Sequence, residues 1–349
     1  MHWSVLNLMR KIPGPKPTNP HYNRERGHHT PSGFRNNYPP RPPTAEELSR
    51  SRQQTDERSR AQLSRIDLSR VAPDLALLHA NRTQPAVTWI GHSTVLMQMG
   101  GRNVITDPIF TQRASPIPFA GPKRWQPPGV KIRELPRIDL VVISHNHYDH
   151  LSLASVRALA RQAGGPPRFA VPLGLDRWFR RRLRALPSDH VAALDWWHSA
   201  ELAGLQVTLV PTHHWSARTP WNRNENLWGA WIVESADGFR FYFSGDTAWS
   251  ADVSDVGQRL GGFDLAAIAV GHYEPRSFMK NAHINPDEAV RAHRVLRAKR
   301  SLAIHYGTFA GLTMEPLDQP LIDLAEARRA QGVTEEEFFA LRPGQTQVL

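Results

Sequence analysis

The chain has 349 residues, contains no cysteine and carries a formal net charge of +11 at pH 7. Because cysteine is absent, disulfides and thiolate metal sites are excluded, so any metal ligands must be histidine and carboxylate side chains. The hydrophobic fraction of 40% supports a substantial core, whereas no apolar run reaches the ~18 residues that a bilayer-spanning helix needs. The length allows one large α/β domain or two small ones.

Residues 1–85 form a basic, proline-rich N-terminal arm. Residues 1–86 contain 14 Lys and Arg against 7 Asp and Glu, a surplus that suits anionic lipid headgroups or nucleic acid and equally a solvated extension. The segment 13–45 is too rich in Pro, Asn, Gly and His to build a core. Thr44 followed by Glu47 predicts the capped start of a short helix. The first residues lack the apolar core and cleavage site of a signal peptide.

From Ala86 onward, short apolar runs alternate with turn-forming residues, as in domains of mixed strands and helices. The predicted strands are 86–90, 94–99, 103–106, 139–143, 168–172, 206–211, 229–234, 239–244, 264–270 and 301–304. The predicted helices are 152–163, 173–186, 251–260, 286–298, 318–331 and 334–340. This order favours two mixed sheets packed face to face with helices outside, a four-layer αββα sandwich over residues 86–349.

The most informative motif directly follows the predicted strand 139–143. His145, His147, Asp149 and His150 lie within six positions. In an extended chain His145 and His147 point to the same side, whereas Asp149 and His150 lie past the turn. The spacing therefore predicts that the motif supplies ligands to two divalent metal ions.

A pair of metal ions needs roughly seven protein ligands and a bridging water. Three further ligands are therefore expected after other apolar strands. The candidates are His213 or His214 after strand 206–211, Asp246 after strand 239–244, and His305 after strand 301–304. A single histidine after a strand is usually structural, but several such strand ends in one chain favour a metal site.

These motifs resemble the metallo-β-lactamase fold superfamily and, within it, the N-acylphosphatidylethanolamine-hydrolysing phospholipase D family, as a bacterial-type relative. The resemblance covers about residues 86–345 and implies the αββα sandwich. Besides the histidine motif, it rests on Thr88–Thr94, Thr106–Phe110, Arg113–Pro116, Gly121–Arg124, Thr212–Ser216, Tyr273–Arg276 and Ile304–Phe309.

The resemblance implies two Zn²⁺ ions and assigns a ligand to each position. His214 is preferred to His213 because the family places its ligand directly before a tryptophan, here Trp215. One ion would be held by His145, His147 and His214, and the other by Asp149, His150 and His305, with Asp246 bridging both.

Zinc ions about 3.5 Å apart lower the pKa of a bridging water, so that a hydroxide can attack phosphorus. Asp149 and Asp246 are the catalytic candidates, and Asp149 would position the hydroxide and accept its proton. The resemblance places Tyr148 and His283 near the substrate, although packing at the loop edge also explains Tyr148. Asp107 is a candidate to support a metal-bound histidine.

Two positions remain open. His92 is either a further support of this kind or a buried core histidine. His272 departs from the mammalian pattern and would tune the site or change the substrate.

By resemblance, the expected reaction is hydrolysis of N-acylphosphatidylethanolamine-like phospholipids to N-acylethanolamine and phosphatidic acid. The partners expected are a phospholipid substrate and a transient membrane surface, with a second copy in a homodimer left open; nucleic acid is not expected. The location expected is the cytoplasm or the inner face of a membrane. The alternatives are a same-fold hydrolase of a small phosphorylated metabolite, of the sugar-phosphate lactonase type, a nuclease and a non-catalytic lipid-binding protein.

Overall fold

The regular elements of the fold are seen in a computed structural model, which describes residues 18–49 and 66–349. The strands are β1 (His29–Thr30), β2 (Gly33–Phe34), β3 (Ala86–Gly91), β4 (Thr94–Met99), β5 (Arg102–Thr106), β6 (Lys123–Arg124), β7 (Leu140–Val142), β8 (Arg168–Pro172), β9 (Val191–Leu194), β10 (Ser199–Leu202), β11 (Leu205–Val210), β12 (Ala230–Glu234), β13 (Arg240–Phe243), β14 (Leu265–Ala269), β15 (Arg300–Ile304), β16 (Phe309–Ala310), β17 (Phe338–Phe339) and β18 (Thr346–Val348). The α-helices are Leu75–Ala80, Leu153–Leu159, Asp176–Arg182, Ala251–Leu260, Arg276–Met279, Pro286–Val295 and Gln319–Gln331.

Two seven-stranded mixed sheets carry most of these strands. The first has the order β18-β3-β4-β5-β7-β8-β9, and the second has the order β10-β11-β12-β13-β14-β15-β17. Strands β5, β7 and β8 run parallel to one another, as do β13, β14 and β15. The carboxyl ends of neighbouring parallel strands therefore meet at one edge of each sheet.

The core separates into layers because side chains alternate across each strand. In β7, Leu140 and Val142 pack in the cluster that lies between the sheets, whereas Val141 faces the outer cluster. That outer cluster also contains Val156 and Phe179, from the helices Leu153–Leu159 and Asp176–Arg182. Helices Ala251–Leu260 and Pro286–Val295 contribute to the cluster that contains the second sheet. The arrangement is the αββα sandwich predicted from the sequence.

Each strand predicted from the sequence is present, with ends that differ by no more than one residue. The helix beginning at Pro286 is also confirmed, with a reciprocal capping box between Asn285 and Glu288. The predicted helix 334–340 is wrong. Thr334 and Glu337 do exchange capping hydrogen bonds, but Phe338 and Phe339 then extend as β17. Parallel pairing with β15 and burial of both rings override the local helical signal.

The described part of the arm lies against the two sheets and their helices. Its β1–β2 hairpin is followed by Asn37, Tyr38 and Arg41, which bind Asp252, Asp255 and Glu288 of two helices. The capping box predicted between Thr44 and Glu47 is formed, and residues 45–49 are helical. Residues 1–17 at the start of the arm lie outside the described residues. In the described ranges, no helix combines the length and the apolar character that a membrane crossing requires.

Candidate metal centre

Ligand-type side chains from both sheets converge at one edge of the sandwich. His145, His147, Asp149 and His150 lie in the loop after β7. The second sheet contributes one such residue after each of three strands, namely His214 after β11, Asp246 after β13 and His305 after β15. The structure therefore brings together all seven side chains that the sequence predicted as metal ligands.

The first group of ligand atoms comprises His145, His147, His214 and Asp246, all within 4.8 Å of one another. Nδ1 of His147 lies 2.8 Å from Nε2 of His145 and 3.3 Å from Nε2 of His214. The neighbouring His213 points elsewhere, because its backbone N–H bonds to the Thr247 hydroxyl and its ring belongs to none of the ligand groups among the described residues.

The second group comprises His92, Asp149, His150 and His305, again within 4.8 Å. Nε2 of His150 and Nε2 of His305 are 3.2 Å apart, and both rings are completely buried. Oδ2 of Asp149 lies 3.5 Å from Nε2 of His150 and 3.7 Å from Nε2 of His305. His92, left open by the sequence, contacts the same carboxylate oxygen, with Nε2 3.1 Å from Oδ2.

Asp246 contacts both groups. Its Oδ2 lies 3.9 Å from Nε2 of His145 and 3.7 Å from Nε2 of His214 in the first group. In the second group, the Asp246 carboxylate lies 3.2 Å from Nε2 of His150 and 3.0 Å from Nε2 of His305. One carboxylate reaching two adjacent ligand sets is the arrangement expected of a ligand that bridges two metal ions.

The outer nitrogens of two imidazoles are held by hydrogen bonds that leave Nε2 directed at the centre. Nδ1 of His150 donates to Oδ2 of Asp107 at 2.7 Å, and Nδ1 of His214 donates to the Ala282 carbonyl at 2.9 Å. Metal-binding histidines in proteins almost always make such a bond with their other nitrogen. With Nδ1 bonded to Asp107, Nε2 of His150 faces the Asp246 carboxylate at 3.2 Å, a contact that either a proton on Nε2 or a metal ion would satisfy. Burial acts against a charged His150, but the Asp246 and Asp149 carboxylates outweigh it and raise its pKa well above the usual value.

The electrostatics of the centre also favour bound cations. Burial lowers the pKa of His145 and His147 well below the usual value and that of His214 to about 4, so these rings remain neutral. Burial acts against a charged His305 as well, but the Asp246 and Asp149 carboxylates outweigh it and raise the pKa of His305 to about 9. The carboxylates therefore attract positive charge, and buried histidines and carboxylates without cysteine suit zinc or a similar ion.

Strained backbone is concentrated at this centre. His92, Asp107, His272 and His305 all adopt positive φ angles, of 56°, 32°, 66° and 66°. Such conformations are costly for residues with a side chain and persist where the surroundings over-determine them, often at functional sites. The strain identifies His272, which follows β14, as part of the centre. Its ring centroid lies 4.2 Å from that of His305.

The two predicted substrate contacts differ in position, since His283 forms a further ligand-type group with Asp246 and His305. Nδ1 of the buried His283 is 3.8 Å from Oδ2 of Asp246. Tyr148 is half-buried, and the guanidinium of Arg218 stacks on its ring at 3.9 Å. Arg124, by contrast, faces inward. Its side chain is buried and donates to the Ile109 and Thr111 carbonyls, so it supports the loop.

Sequence reasoning missed two residues that hold the centre from outside. Arg218 donates from Nη1 to the carbonyl of Asn146, inside the ligand motif, and to that of Leu151, directly after it. Asn36, in the N-terminal arm, bonds to the backbone of His214. The signal available in the sequence was the short spacing from His214 to Arg218.

A third group of ligand-type residues, His28, His29 and Asp195, joins the arm to the strand end after β9. Nε2 of His28 and Nε2 of His29 contact different oxygens of Asp195, at 2.7 and 3.0 Å. Arg26 adds a positive charge 3.8 Å from the same carboxylate. Direct hydrogen bonds and a nearby guanidinium satisfy this group, which we interpret as an ion-paired anchor for the arm.

Comparisons with known proteins identify the family of the chain. The family model described as "Beta-lactamase superfamily domain" matches residues 102–306. The chain is 43% identical over 251 residues to N-acyl-phosphatidylethanolamine-hydrolyzing phospholipase D 1 of Caenorhabditis elegans, covering 69% of this chain and 70% of that protein. It is 30% identical over 228 residues to the mitochondrial enzyme of that name from Saccharomyces cerevisiae, covering 64% of this chain and 47% of that protein.

Solved structures show the same fold. A possible metal-dependent hydrolase from Veillonella parvula superposes with a TM-score of 0.58 at 17% sequence identity. The superposition covers 76% of this chain and 100% of that one.

Proposed function

Because the chain belongs to the metallo-β-lactamase fold superfamily, in the family that contains N-acylphosphatidylethanolamine-hydrolysing phospholipase D, we propose that it is a dinuclear zinc phosphodiesterase. Its proposed substrates are N-acylphosphatidylethanolamine-like phospholipids, and its products are N-acylethanolamine and phosphatidic acid. The observation that carries the proposal is the contact of Asp246 with both ligand groups.

The residues present fit two ions. His145, His147 and His214 would hold one, Asp149, His150 and His305 the other, and Asp246 both. When bound, the ions would supply Lewis acidity and lower the pKa of a water molecule.

The remaining chemistry is assigned to side chains. Asp149 accepts a proton from the attacking water, and His92 orients this carboxylate through the 3.1 Å contact. His283 and Tyr148 are assigned to contact the phosphate of the substrate.

Exposed aromatic side chains support a lipid substrate. Phe119, Trp125, Trp221 and Phe278 are all exposed. Trp125 is hydrogen-bonded through its backbone to Thr308, close to His305, and Phe278 lies in the short helix before His283. Exposed aromatics beside a reaction centre suit insertion into a membrane interface. With the net positive charge, they support transient binding to an anionic membrane surface.

A small phosphorylated metabolite is the second candidate substrate. A cavity of about 320 Å³ lies beside Tyr148 of the motif loop; its lining includes Arg113, Arg182 and Arg218 but none of the seven ligand residues. That volume lies at the small end of ligand pockets, and guanidinium groups recognise phosphate well. The cavity therefore suits a compact phosphate ester better than a diacyl lipid.

One experiment separates these candidates. The purified protein is analysed for metal content and then assayed on vesicles of N-acylphosphatidylethanolamine, on vesicles of plain phosphatidylethanolamine, and on soluble sugar-phosphate lactones. We expect two zinc ions per chain and release of N-acylethanolamine, and neither in Asp246→Asn. Turnover of the soluble lactones alone would favour the second candidate. The absence of stoichiometric metal would overturn both.

A further inference from the structure

We propose that Asn36, in the N-terminal arm, is a positioning residue for the metal ligand His214, so that the arm forms part of the metal centre. The inference rests on the proposed function, because it takes His214 as a ligand. Asn36 is separated from His214 by 178 positions. Nothing in the family comparison reaches it, since the matched domain begins at residue 102.

The side chain of Asn36 pairs with the backbone of this single residue. The His214 N–H donates to Oδ1 of Asn36 at 3.1 Å, and Nδ2 of Asn36 donates to the His214 carbonyl at 2.9 Å. His214 lies beyond the end of β11, so no neighbouring strand supplies these bonds. Because His214 is buried, losing the amide would leave a backbone donor and acceptor unsatisfied.

The imidazole of His214 is thereby held from two directions. Asn36 fixes the backbone, and the Ala282 carbonyl accepts from Nδ1 of the ring at 2.9 Å. Nε2 then lies 3.3 Å from Nδ1 of His147 and 3.7 Å from Oδ2 of Asp246. A ligand on a loop needs such outer contacts, because metal affinity depends on holding it within a few tenths of an ångström.

The arm is anchored on both sides of Asn36, which makes the contact persistent. Before it, Phe34 N–H donates to the Asn224 carbonyl at 2.8 Å, and His28 and His29 bind Asp195. After it, Nδ2 of Asn37 donates to Oδ1 of Asp252 at 2.8 Å, and the Tyr38 hydroxyl donates to Asp255 at 2.7 Å. These bonds offset the entropy of ordering the arm, so Asn36 is already in place when a metal ion binds.

The chemistry of the pairing requires an amide. Asparagine places a donor and an acceptor side by side, matching one N–H and one C=O of the same residue. An aspartate of the same shape would keep the bond to the His214 N–H and set a negative oxygen against the His214 carbonyl. The variants Asn36→Ala and Asn36→Asp therefore test the same contact in two ways.

The matched control is Asn37→Ala. It removes the same side chain from the adjacent arm position, where the partner is Asp252 of a helix and not a metal ligand. The full-length proteins are loaded with zinc, and the dissociation constant of each ion is measured by competition with a chromogenic chelator. Thermal unfolding is recorded in parallel. We expect Asn36→Ala and Asn36→Asp to raise the dissociation constant of one ion by about 10- to 100-fold. The dissociation constants of Asn37→Ala should stay within about threefold of the wild-type values.

Equal zinc affinities in the Asn36 and Asn37 variants would overturn the positioning role. If Asn36→Ala fails to fold, the isosteric Asn36→Asp decides the question. Wild-type protein that binds two zinc ions without hydrolysing phospholipid would contradict the proposed substrate and leave the inference standing. If the wild type hydrolyses phospholipid but both Asn36 variants bind zinc as tightly as the wild type, the proposed substrate is supported and the positioning role of Asn36 is contradicted.

Discussion

Oδ2 of Asp107 accepts a hydrogen bond from Nδ1 of His150 at 2.7 Å, and both side chains are completely buried. The same carboxylate accepts the backbone N–H and the hydroxyl of Ser144, the residue that precedes the ligand motif. Asp107 thus fixes the tautomer of one ligand and the start of the loop that carries three others.

Asp107→Asn is expected to lower zinc affinity and turnover by about 10- to 100-fold, because one amide oxygen cannot replace a carboxylate that accepts three bonds. Zinc competition and steady-state rates measure the effect. The matched control is Asp139→Asn, at the opposite end of β7, where the carboxylate binds the Asn103 N–H. A control variant as impaired in zinc binding as Asp107→Asn would mean that general destabilisation is responsible.

Asp246→Asn is expected to reduce turnover by at least about 100-fold and to lower the zinc content. The change removes the charge that both ligand groups share while keeping the size of the side chain. Circular dichroism and thermal unfolding should show a folded protein. Ordinary activity in this variant would exclude the bridging role.

The buried His283 predicts a pH dependence of stability in metal-free protein. Burial lowers its pKa from 6.5 to about 3, so between these values the unfolded chain binds a proton that the folded chain does not. Stability is therefore fully present above pH 6.5 and lost as the pH falls, by about 2 kcal/mol for this group between pH 7 and pH 5. Denaturant unfolding at both pH values measures the free energy of unfolding. Its decrease from pH 7 to pH 5 should be smaller in His283→Gln than in the wild type by that amount. Identical losses would remove His283 as the cause.

Arg218→Lys should destabilise the protein by about 2 kcal/mol and reduce turnover about tenfold. Arg218 donates to the Asn146 and Leu151 carbonyls and stacks on Tyr148. The ammonium group of lysine cannot make all three contacts, because it lacks the planar guanidinium group of arginine. Denaturant titration and rate measurements check both effects. Arg223→Lys is the control, because Arg223 stacks on Trp215 without touching the motif backbone. An equal loss of turnover in the control would contradict the proposed role of Arg218 in holding the motif loop.

The sequence predicted the strands and the ligand-bearing strand ends because both leave local signals, whereas the choice of His214 over His213 came from the family resemblance. Buried strands such as β7 are short apolar runs, and their polar ends mark where ligands are placed. The contact of Asn36 with His214 leaves no such signal, since neither residue type nor spacing links positions 178 apart. The helix predicted over 334–340 was wrong for a related reason. Its local capping pattern was outweighed by the pairing of Phe338 and Phe339 with β15, which depends on tertiary packing.

The ligands of the candidate centre come from both sheets, with four after β7 in the first and three after β11, β13 and β15 in the second. Ions held there would cross-link the two halves of the molecule, since each contacts side chains from both. Loss of these ions would then lower the stability of the folded chain and increase its exposure to proteases. The supply of zinc in the cell would set the lifetime of this protein as well as its catalytic rate.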